Sequence, residues 1–552
     1  MKDFDAIVIG SGVSGLTTAI VAAQQGLKVL VIEKAPVFGG TTAYSGGVGW
    51  IPNNHLMHEA GLDDSREKAE TYLRAVLGNH YDPEMIDAFL DNGPRMLKHM
   101  MDTTELDFVV TPTPDYEPDK PSAYHSRGVL AKEYDGTRLG KHLDLLRRPL
   151  DTLTVLGGMQ VAGADITPLR TAFQTPASFG YTTRTVARYA RQKATHGRAT
   201  RLVSGNALAA RLLKSALDAG VTLWNETPAL ELLKTGGASP VSRRAIRARK
   251  LFSPRGRPSC WRRVALVRVK GCARSLCPIP STIVRSNLPR TSGTAPAWGS
   301  CGWAHGARQS LERDLHPDFR APRGGRNRQT LSAYHDRPLH ARVDCGRRDW
   351  STLCQRRAVL PALRDDDARA EHDTVVSDRR PAFPAEIRDG AGEALPYPIG
   401  KWLKNGYLTE GATLQDLARK IGVDPAGLQD TVERFNGFAR KGADADFGRG
   451  ADAHSRYRGD QTVKPNPSLA PLETGPFYAI TLYPGDLSSV AGLVTDGRTR
   501  VLDEAGKPIA GLYAVGLDMN SMTKGMYPAG GSSLGPGLTF GYIAGNEIAA
   551  AE

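Results

Sequence analysis

The chain has 552 residues, 40% of them apolar, with a mean hydropathy of −0.34 and a formal net charge of +13. That length accommodates two or more domains, each burying its own core. No apolar run approaches the roughly 20 residues that span a bilayer, which excludes a membrane-spanning helix at this level of reading. The opening residues Met1–Asp5 lead straight into a strand-like run without the basic and apolar regions of a secretory signal, so a cytoplasmic location is expected.

The first predicted unit reads Asp5-Ala-Ile-Val-Ile-Gly10-Ser11-Gly12-Val-Ser-Gly15-Leu-Thr-Thr-Ala-Ile. An apolar run predicts a buried strand, three glycines a tight turn, and the Ala-rich continuation a helix. Gly10 permits the turn, Gly12 lets a pyrophosphate approach the backbone together with Ser11, and Gly15 lets helix and strand pack closely. The phosphates are expected on the helix N-terminus. A second strand, Leu27–Ile32, ends at Glu33 and Lys34, with the Glu33 carboxylate placed to accept hydrogen bonds from ribose hydroxyls. Strand, fingerprint, helix, strand and acid in this order define a dinucleotide site.

A glycine-dense loop follows: Gly39-Gly40-Thr41-Thr42-Ala43-Tyr44-Ser45-Gly46-Gly47. Its small polar residues let backbone approach an extended, flat ligand. Further on come Thr111-Pro-Thr-Pro-Asp-Tyr116-Glu, and then Arg201–Leu208 with Val221–Leu233.

From Val241 to Arg380 the pattern changes. The segment holds 28 arginines and two lysines against twelve carboxylates, a net +18 that leaves the rest of the chain at −5. All six cysteines (Cys260, Cys272, Cys277, Cys301, Cys345 and Cys354) and four of the seven tryptophans lie in it, and neither helical nor strand periodicity is sustained. A polyanion-binding insert would explain the charge, but no aromatic-basic module or zinc spacing accompanies it. A natural linker fits the Pro and Arg content but not the Cys and Trp content. An out-of-frame translation between two compensating frameshifts fits all of it, since misread GC-rich codons give Arg, Pro, Cys and Trp. The basic character therefore implies no nucleic-acid partner, and function is read from the flanks.

Beyond the segment, Thr413 is placed to cap a helix over Leu414–Lys420 before Gly422, and Asp424-Pro425 to open another running to Lys441-Gly442. Gly511-Leu-Tyr-Ala-Val-Gly516-Leu-Asp518 predicts a short strand closing on Gly516 and Asp518. There a carboxylate can bind the polyol that flavin has and NAD lacks, so the cofactor expected is FAD. Last comes Tyr527-Pro-Ala529-Gly530-Gly531-Ser-Ser-Leu534-Gly, which opens with glycines and becomes an apolar helix reaching Gly545. Its N-terminus, starting near Leu534, suits the flavin edge that gains negative charge on reduction.

These stretches, with Pro476–Ala479, resemble the flavoprotein family containing 3-ketosteroid Δ1-dehydrogenases and, more distantly, soluble fumarate reductases. The likeness covers residues 1–237 and about 385–552. In covalent relatives a histidine attaches the flavin just before the first threonine of the glycine loop; Gly40 stands there, which implies non-covalent FAD. The resemblance further implies that the Tyr527 hydroxyl and the Gly531 N–H bind a substrate ketone oxygen, with Ala529 replacing a family glycine, and that Tyr116 borders the active site and supports proton transfer. It places the proton-abstracting tyrosine near Asp344–Trp350, a stretch inside the arginine-rich segment that itself holds no tyrosine.

The chemistry accords with such a pair. Desaturating a C–C bond needs an acidified C–H beside a carbonyl, two donors for the enolate-like oxygen, a base for the α proton and a flavin for the β hydride. The expected activity is FAD-dependent desaturation next to a ketone, foremost the 1,2-desaturation of a 3-ketosteroid, with an electron acceptor as second partner and no metal. A 4,5-desaturation of a 5α-steroid and oxidation of a smaller cyclic ketone use the same apparatus. A fumarate-reductase-like reaction would require cationic forks that the C-terminal motif lacks. A flavin-binding product of a frameshifted gene is the non-enzymatic alternative. The expected fold is a discontinuous α/β Rossmann-like FAD-binding domain over 1–108, 198–237 and 476–552. An α+β catalytic domain over 109–197 and 385–475 is inserted in it, and 238–384 stands apart as anomalous.

Overall fold

In the computed structural model the run Ala6–Ile9 forms strand β1, and Val13–Gln24 forms helix α1, ten of whose twelve residues are buried. The structure describes residues 4–229, 232, 266–269, 316–320, 330–331, 343–345, 373–378, 400–485 and 488–551. Between β1 and α1 the chain turns at Gly10, whose φ of +100° disfavours any side chain, and the Gly10 N–H donates to the Ile32 carbonyl at 2.8 Å. Strand β2 (Val29–Ile32) runs parallel to β1, as expected of a strand–helix–strand crossover.

The chain then forms strand β3 (Val48–Trp50) and helices α2 (Arg66–Leu77) and α3 (Pro83–Thr103). Strands β4 (Phe108–Val110) and β5 (Gly128–Ala131) follow, then helix α4 (Ser204–Asp218) and strand β6 (Thr222–Trp224). Strand β7 (Leu266–Val269) and the late strands β11 (Arg500–Leu502) and β12 (Pro508–Ala514) complete the main sheet in the order β6-β2-β1-β7-β12-β11. Strands β6, β2 and β1 are parallel, whereas β7 runs antiparallel to both β1 and β12. The two ends of the chain thus meet in one sheet, and residues from Ala6 to Val221 share a core with residues from Val501 to Ile548.

The closing helix α8 (Leu534–Ala550) lies on α1 through a stripe of glycines at four-residue spacing. A Cβ would stand 2.8 Å from the Ser14 hydroxyl at Gly537, 2.8 Å from the Ser14 carbonyl at Gly541 and 2.6 Å from Val21 Cβ at Gly545. Glycine is what lets the two helix backbones approach.

Strands β3, β5 and β4 form a small antiparallel sheet whose connection, residues 111–127, carries Tyr116. Strands β8 (Asp373–Asp378), β9 (Leu408–Gly411) and β10 (Phe477–Gly485) belong to a second large sheet, in which β10 pairs antiparallel with both others. Helices α5 (Leu414–Ile421) and α6 (Pro425–Lys441) pack a separate core against it. Their ends follow the sequence reading. Thr413 accepts from the Asp416 N–H and Asp424 from the Gly427 N–H, and both helices stop at left-handed glycines, Gly422 and Gly442. A short helix, α7 (Ala453–Arg458), comes next. The expectation for 238–384 lies for the most part outside the described residues. Among those described, no helix is long and apolar enough to cross a membrane, and no cluster of metal-ligating side chains occurs.

Candidate active site

The dinucleotide cradle forms where α1, the glycine loop and α4 converge. Gly12 is the N-cap of α1 and offers no side-chain cap; instead the Thr42 hydroxyl accepts from the Val13 N–H at 2.9 Å. Gly40 faces Gly12 backbone to backbone: with φ of +52°, a Cβ there would lie 3.3 Å from Gly12 Cα. Gly15 is buried within α1. A helix N-terminus lined by glycine backbone on two sides is the surface a pyrophosphate occupies, since first-turn N–H groups lack intrahelical acceptors.

Glu33 is buried at the end of β2 and already held by three donors. Its Oε2 accepts from the Ser11 N–H (3.1 Å) and hydroxyl (2.7 Å), and Oε1 accepts from the Ala35 N–H (2.9 Å). Ser11 also accepts from the Gly39 N–H at 3.1 Å, so the fingerprint and the glycine loop are tied through one hydroxyl. The carboxylate keeps lone pairs for a ribose, with Lys34 following it half-buried.

The far end of the loop is also fixed by packing. Ser45 donates to the Thr42 carbonyl and accepts from the Gly47 N–H, and Gly47 has φ of +75°. A Cβ on Gly47 would strike the Ser204 carbonyl carbon at 2.4 Å, and one on Gly205 the Thr42 carbonyl oxygen at 2.1 Å. Gly47 therefore also lets the loop pack on the α4 N-terminus, and Gly205, which the sequence did not single out, is its counterpart. Thr41 is exposed at the rim and Gly46 half-buried beside Ser45. At the other end, Gly516 turns with φ of +64° and Asp518 is half-buried, its carbonyl accepting from the Leu493 N–H at 2.8 Å.

The C-terminal motif and the 111–127 connection meet here. Gly531 has φ of +100°, and a Cβ on it would lie 2.7 Å from the Trp50 nitrogen, so only glycine fits. The Tyr527 hydroxyl interacts with the Gly531 backbone and with the Ser533 side chain, just before Leu534 begins α8. Tyr116 is 2% exposed and stacks on Tyr527 at 5.8 Å between centroids and 30° between planes. Its backbone N–H donates to the Pro528 carbonyl at 2.8 Å, and a Cβ on Gly530 would lie 3.3 Å from its hydroxyl oxygen. All three predicted residues, Tyr527, Gly531 and Tyr116, are thus brought together. Burial lifts the Tyr527 hydroxyl well above the usual phenol range, and Tyr116 adds to this, against the opposing effects of Ser533 and the Gly531 amide. It remains a neutral donor through the physiological range.

Two neighbours escaped the sequence reading. Ser533 touches the Tyr527 hydroxyl. His454, on α7, sets its ring edge-on to Tyr116 at 4.6 Å and bonds the Pro114 backbone. It is 4% exposed, and its Nδ1 has no hydrogen-bond partner among the described residues. Burial, helped by Arg458, pushes its imidazole down to about 4, so it is neutral. Neither residue carried a motif: Asp452-Ala-His454-Ser reads as an ordinary polar turn, and a serine before an apolar helix reads as a generic cap. The place assigned to the proton-abstracting tyrosine, 344–350, lies outside the described residues save for the strand ending at Cys345.

A dinucleotide cradle opening toward buried, neutral phenol and amide donors defines a flavin-dependent oxidoreductase. Comparison with known proteins gives the family. The FAD binding domain family matches residues 5–267 and 315–534, and the chain belongs to it. The protein is a member of an FAD-dependent dehydrogenase family whose named relatives act on CH–CH groups. It is 33% identical to a 4-oxocyclohex-2-ene-1-carboxylate 5-dehydrogenase of Sinomonas cyclohexanicum, covering 99% of this chain and 93% of that protein. It is 31% identical to a 3-oxosteroid 1-dehydrogenase of Mycolicibacterium smegmatis, covering 100% and 98%. Among solved structures, the 3-ketosteroid Δ1-dehydrogenase of Sterolibacterium denitrificans in complex with 1,4-androstadiene-3,17-dione superimposes with a TM-score of 0.78 at 28% identity, with 100% of both chains covered.

Proposed function

We propose that the protein desaturates a ring C–C bond adjacent to a ketone, with a 3-ketosteroid oxidised at its 1,2 position as the foremost substrate. The observation that carries this reading is the convergence of the Tyr527 hydroxyl and the Gly531 backbone beside Tyr116. In this reading Tyr527 and the Gly531 N–H hold the ketone oxygen and stabilise the charge that develops there as the α C–H is acidified. Tyr116 lies against the same ring and supports transfer of the α proton. Bound FAD supplies the hydride acceptor. Gly12, Gly40 and the α1 N-terminus would hold the pyrophosphate, Glu33 with Ser11 the adenosine ribose, and Asp518 the polyol. Thr41, Thr42, Ser45, Gly46 and Leu534 would line the remaining contacts. Gly40 offers no nucleophile, so the flavin is non-covalent.

The activities of the relatives favour a ring ketone, and the identity to a 4-oxocyclohexenecarboxylate dehydrogenase makes a smaller ring ketone the second reading. The close neighbours of Tyr527 are Tyr116 and Ser533, both neutral, with neutral His454 behind Tyr116, which suits a ketone better than a dicarboxylate. An electron acceptor and a cytoplasmic setting belong to the same reading. So does the division into FAD-binding parts (1–108, 198–237, 476–552) and catalytic parts (109–197, 385–475).

Turnover of a 3-ketosteroid, 4-oxocyclohexanecarboxylate and fumarate, each with an artificial redox dye of suitable direction, tests it. Ketone oxidation without fumarate reduction is expected; fumarate turnover exceeding that of both ketones would reverse the assignment.

A further inference from the structure

Arg127 is fully buried between two carboxylates. Its Nε and Nη2 bind Asp64 at 3.0 and 2.7 Å as a two-pronged fork, and its Nη1 binds Asp115 at 2.8 Å. One guanidinium and two acids leave this cluster a net negative charge at neutral pH, in a place where an apolar trio of equal volume would be at least as stable. Its position explains its presence. Asp115 adjoins Tyr116 in sequence, and its second oxygen accepts from Trp50 Nε1 at 3.0 Å. The same Trp50 uses its backbone N–H to bind the Gly531 carbonyl at 3.1 Å. Its indole is wedged flat against Phe89, 5.9 Å between centroids at 11°, and leans on Tyr72, whose hydroxyl donates to the Pro528 carbonyl at 2.7 Å. The Asn53 N–H donates to Asp64, and the Ile51 N–H to the Arg127 carbonyl.

We infer that the Asp64–Arg127–Asp115 cluster, acting through Trp50, fixes the spacing between Tyr116 and the Gly531 N–H, and that Trp50 and Arg127 are positioning residues for ketone dehydrogenation. This rests on the function proposed above. A guanidinium fork held by two carboxylates has one geometry, whereas an apolar trio or a lysine would let the 111–127 connection shift against β3. Burial pushes the Asp115 carboxyl up to about 6 despite the Arg127 guanidinium, so the cluster is held in place at a cost. Trp50 joins the two halves of the site within one residue: its indole bonds Asp115, the residue beside Tyr116, and its backbone N–H bonds Gly531.

The test uses the full-length flavoprotein and three variants. Trp50→Phe keeps the ring on Phe89 but removes the Nε1 donor. Asp115→Asn keeps its size, and Arg127→Lys keeps the charge but not the fork. Anaerobic single-turnover flavin reduction by a 3-ketosteroid or 4-oxocyclohexanecarboxylate gives the rate. Perturbation of the flavin spectrum by the unsaturated product gives a ketone affinity that needs no turnover. Trp50→Phe should retain flavin and melting temperature, lose about 10- to 100-fold in reduction rate and change in product affinity by less than about threefold, since a misplacement near 1 Å costs about that much rate. Arg127→Lys should go the same way; if it does not fold, Trp50→Phe and Asp115→Asn decide. Variants that keep the wild-type rate per bound flavin, whatever their stability, would overturn the inference and leave the cluster merely structural. Failure of the wild type itself to bind product or to be reduced by either ketone would instead overturn the proposed function, and this inference with it.

Discussion

At Tyr527 burial and a stacked neighbour keep the phenol protonated, which makes it a donor rather than a base. Tyr527→Phe should therefore spare flavin binding and melting temperature while slowing flavin reduction by about 10²–10³-fold, the usual loss for one preorganised donor to a developing oxyanion. A destabilised variant with normal single-turnover rates would show a packing tyrosine instead. His454 makes a second residue-level prediction. Its folded-state value near 4 lies below the unfolded value near 6.5, so the unfolded chain binds more protons between them. Its contribution is complete above about 6.5 and is lost as pH falls toward 4, by up to about 3 kcal/mol. Melting temperature should fall less steeply over that interval in His454→Asn than in wild type; parallel curves would show that burial does not hold the imidazole neutral. The fold places Tyr527, Gly531 and Tyr116 side by side, and they were singled out by the family resemblance. His454 and Trp50 were not, because their roles depend on which distant residues they touch, and a lone histidine or tryptophan carries no spacing.

Among the elements, the strand–turn–helix at Gly10–Gly15 and the caps at Thr413 and Asp424 were readable from local chemistry alone. The glycines were only partly so. Sequence assigned Gly47 to the ligand, and a Cβ there would in addition collide with Ser204; the equally constrained Gly205 lay in the Arg201–Leu208 stretch that carried the family likeness but was not singled out. The same ambiguity covers α8, where Gly537, Gly541 and Gly545 serve its contact with α1. Gly541→Val places carbon 2.8 Å from the Ser14 carbonyl at the base of the fingerprint helix. It should destabilise the protein by about 1–3 kcal/mol and weaken FAD retention, because α1 and the Tyr527–Gly531 entrance to α8 move together. Thermal melting with flavin-release fluorescence checks this; unchanged melting and retention would mean that the helices separate without consequence.

For the whole molecule, the chain ends meet in one sheet and one core, as the separated FAD motifs required. The antiparallel β7 between β1 and β12 was not foreseen. It belongs to the arginine-rich stretch, whose composition gave no strand period to read. The stretch left out of the family match, 268–314, also falls inside that segment. If compensating frameshifts produced it, translating the gene across codons 238–384 in the other frames should reveal a run with strand and helix periodicity that carries a tyrosine near the place of Asp344–Trp350. Absence of such a run from every frame would refute the frameshift reading. In the proposed function, electrons pass to FAD from a C–C bond beside a ring ketone. This is tested most directly by mixing the purified protein anaerobically with a 3-ketosteroid or 4-oxocyclohexanecarboxylate while following the flavin absorbance and the mass of the ketone. Bleaching of the flavin matched by a product two hydrogens lighter is the predicted result; an oxidised flavin with both ketones intact would contradict it.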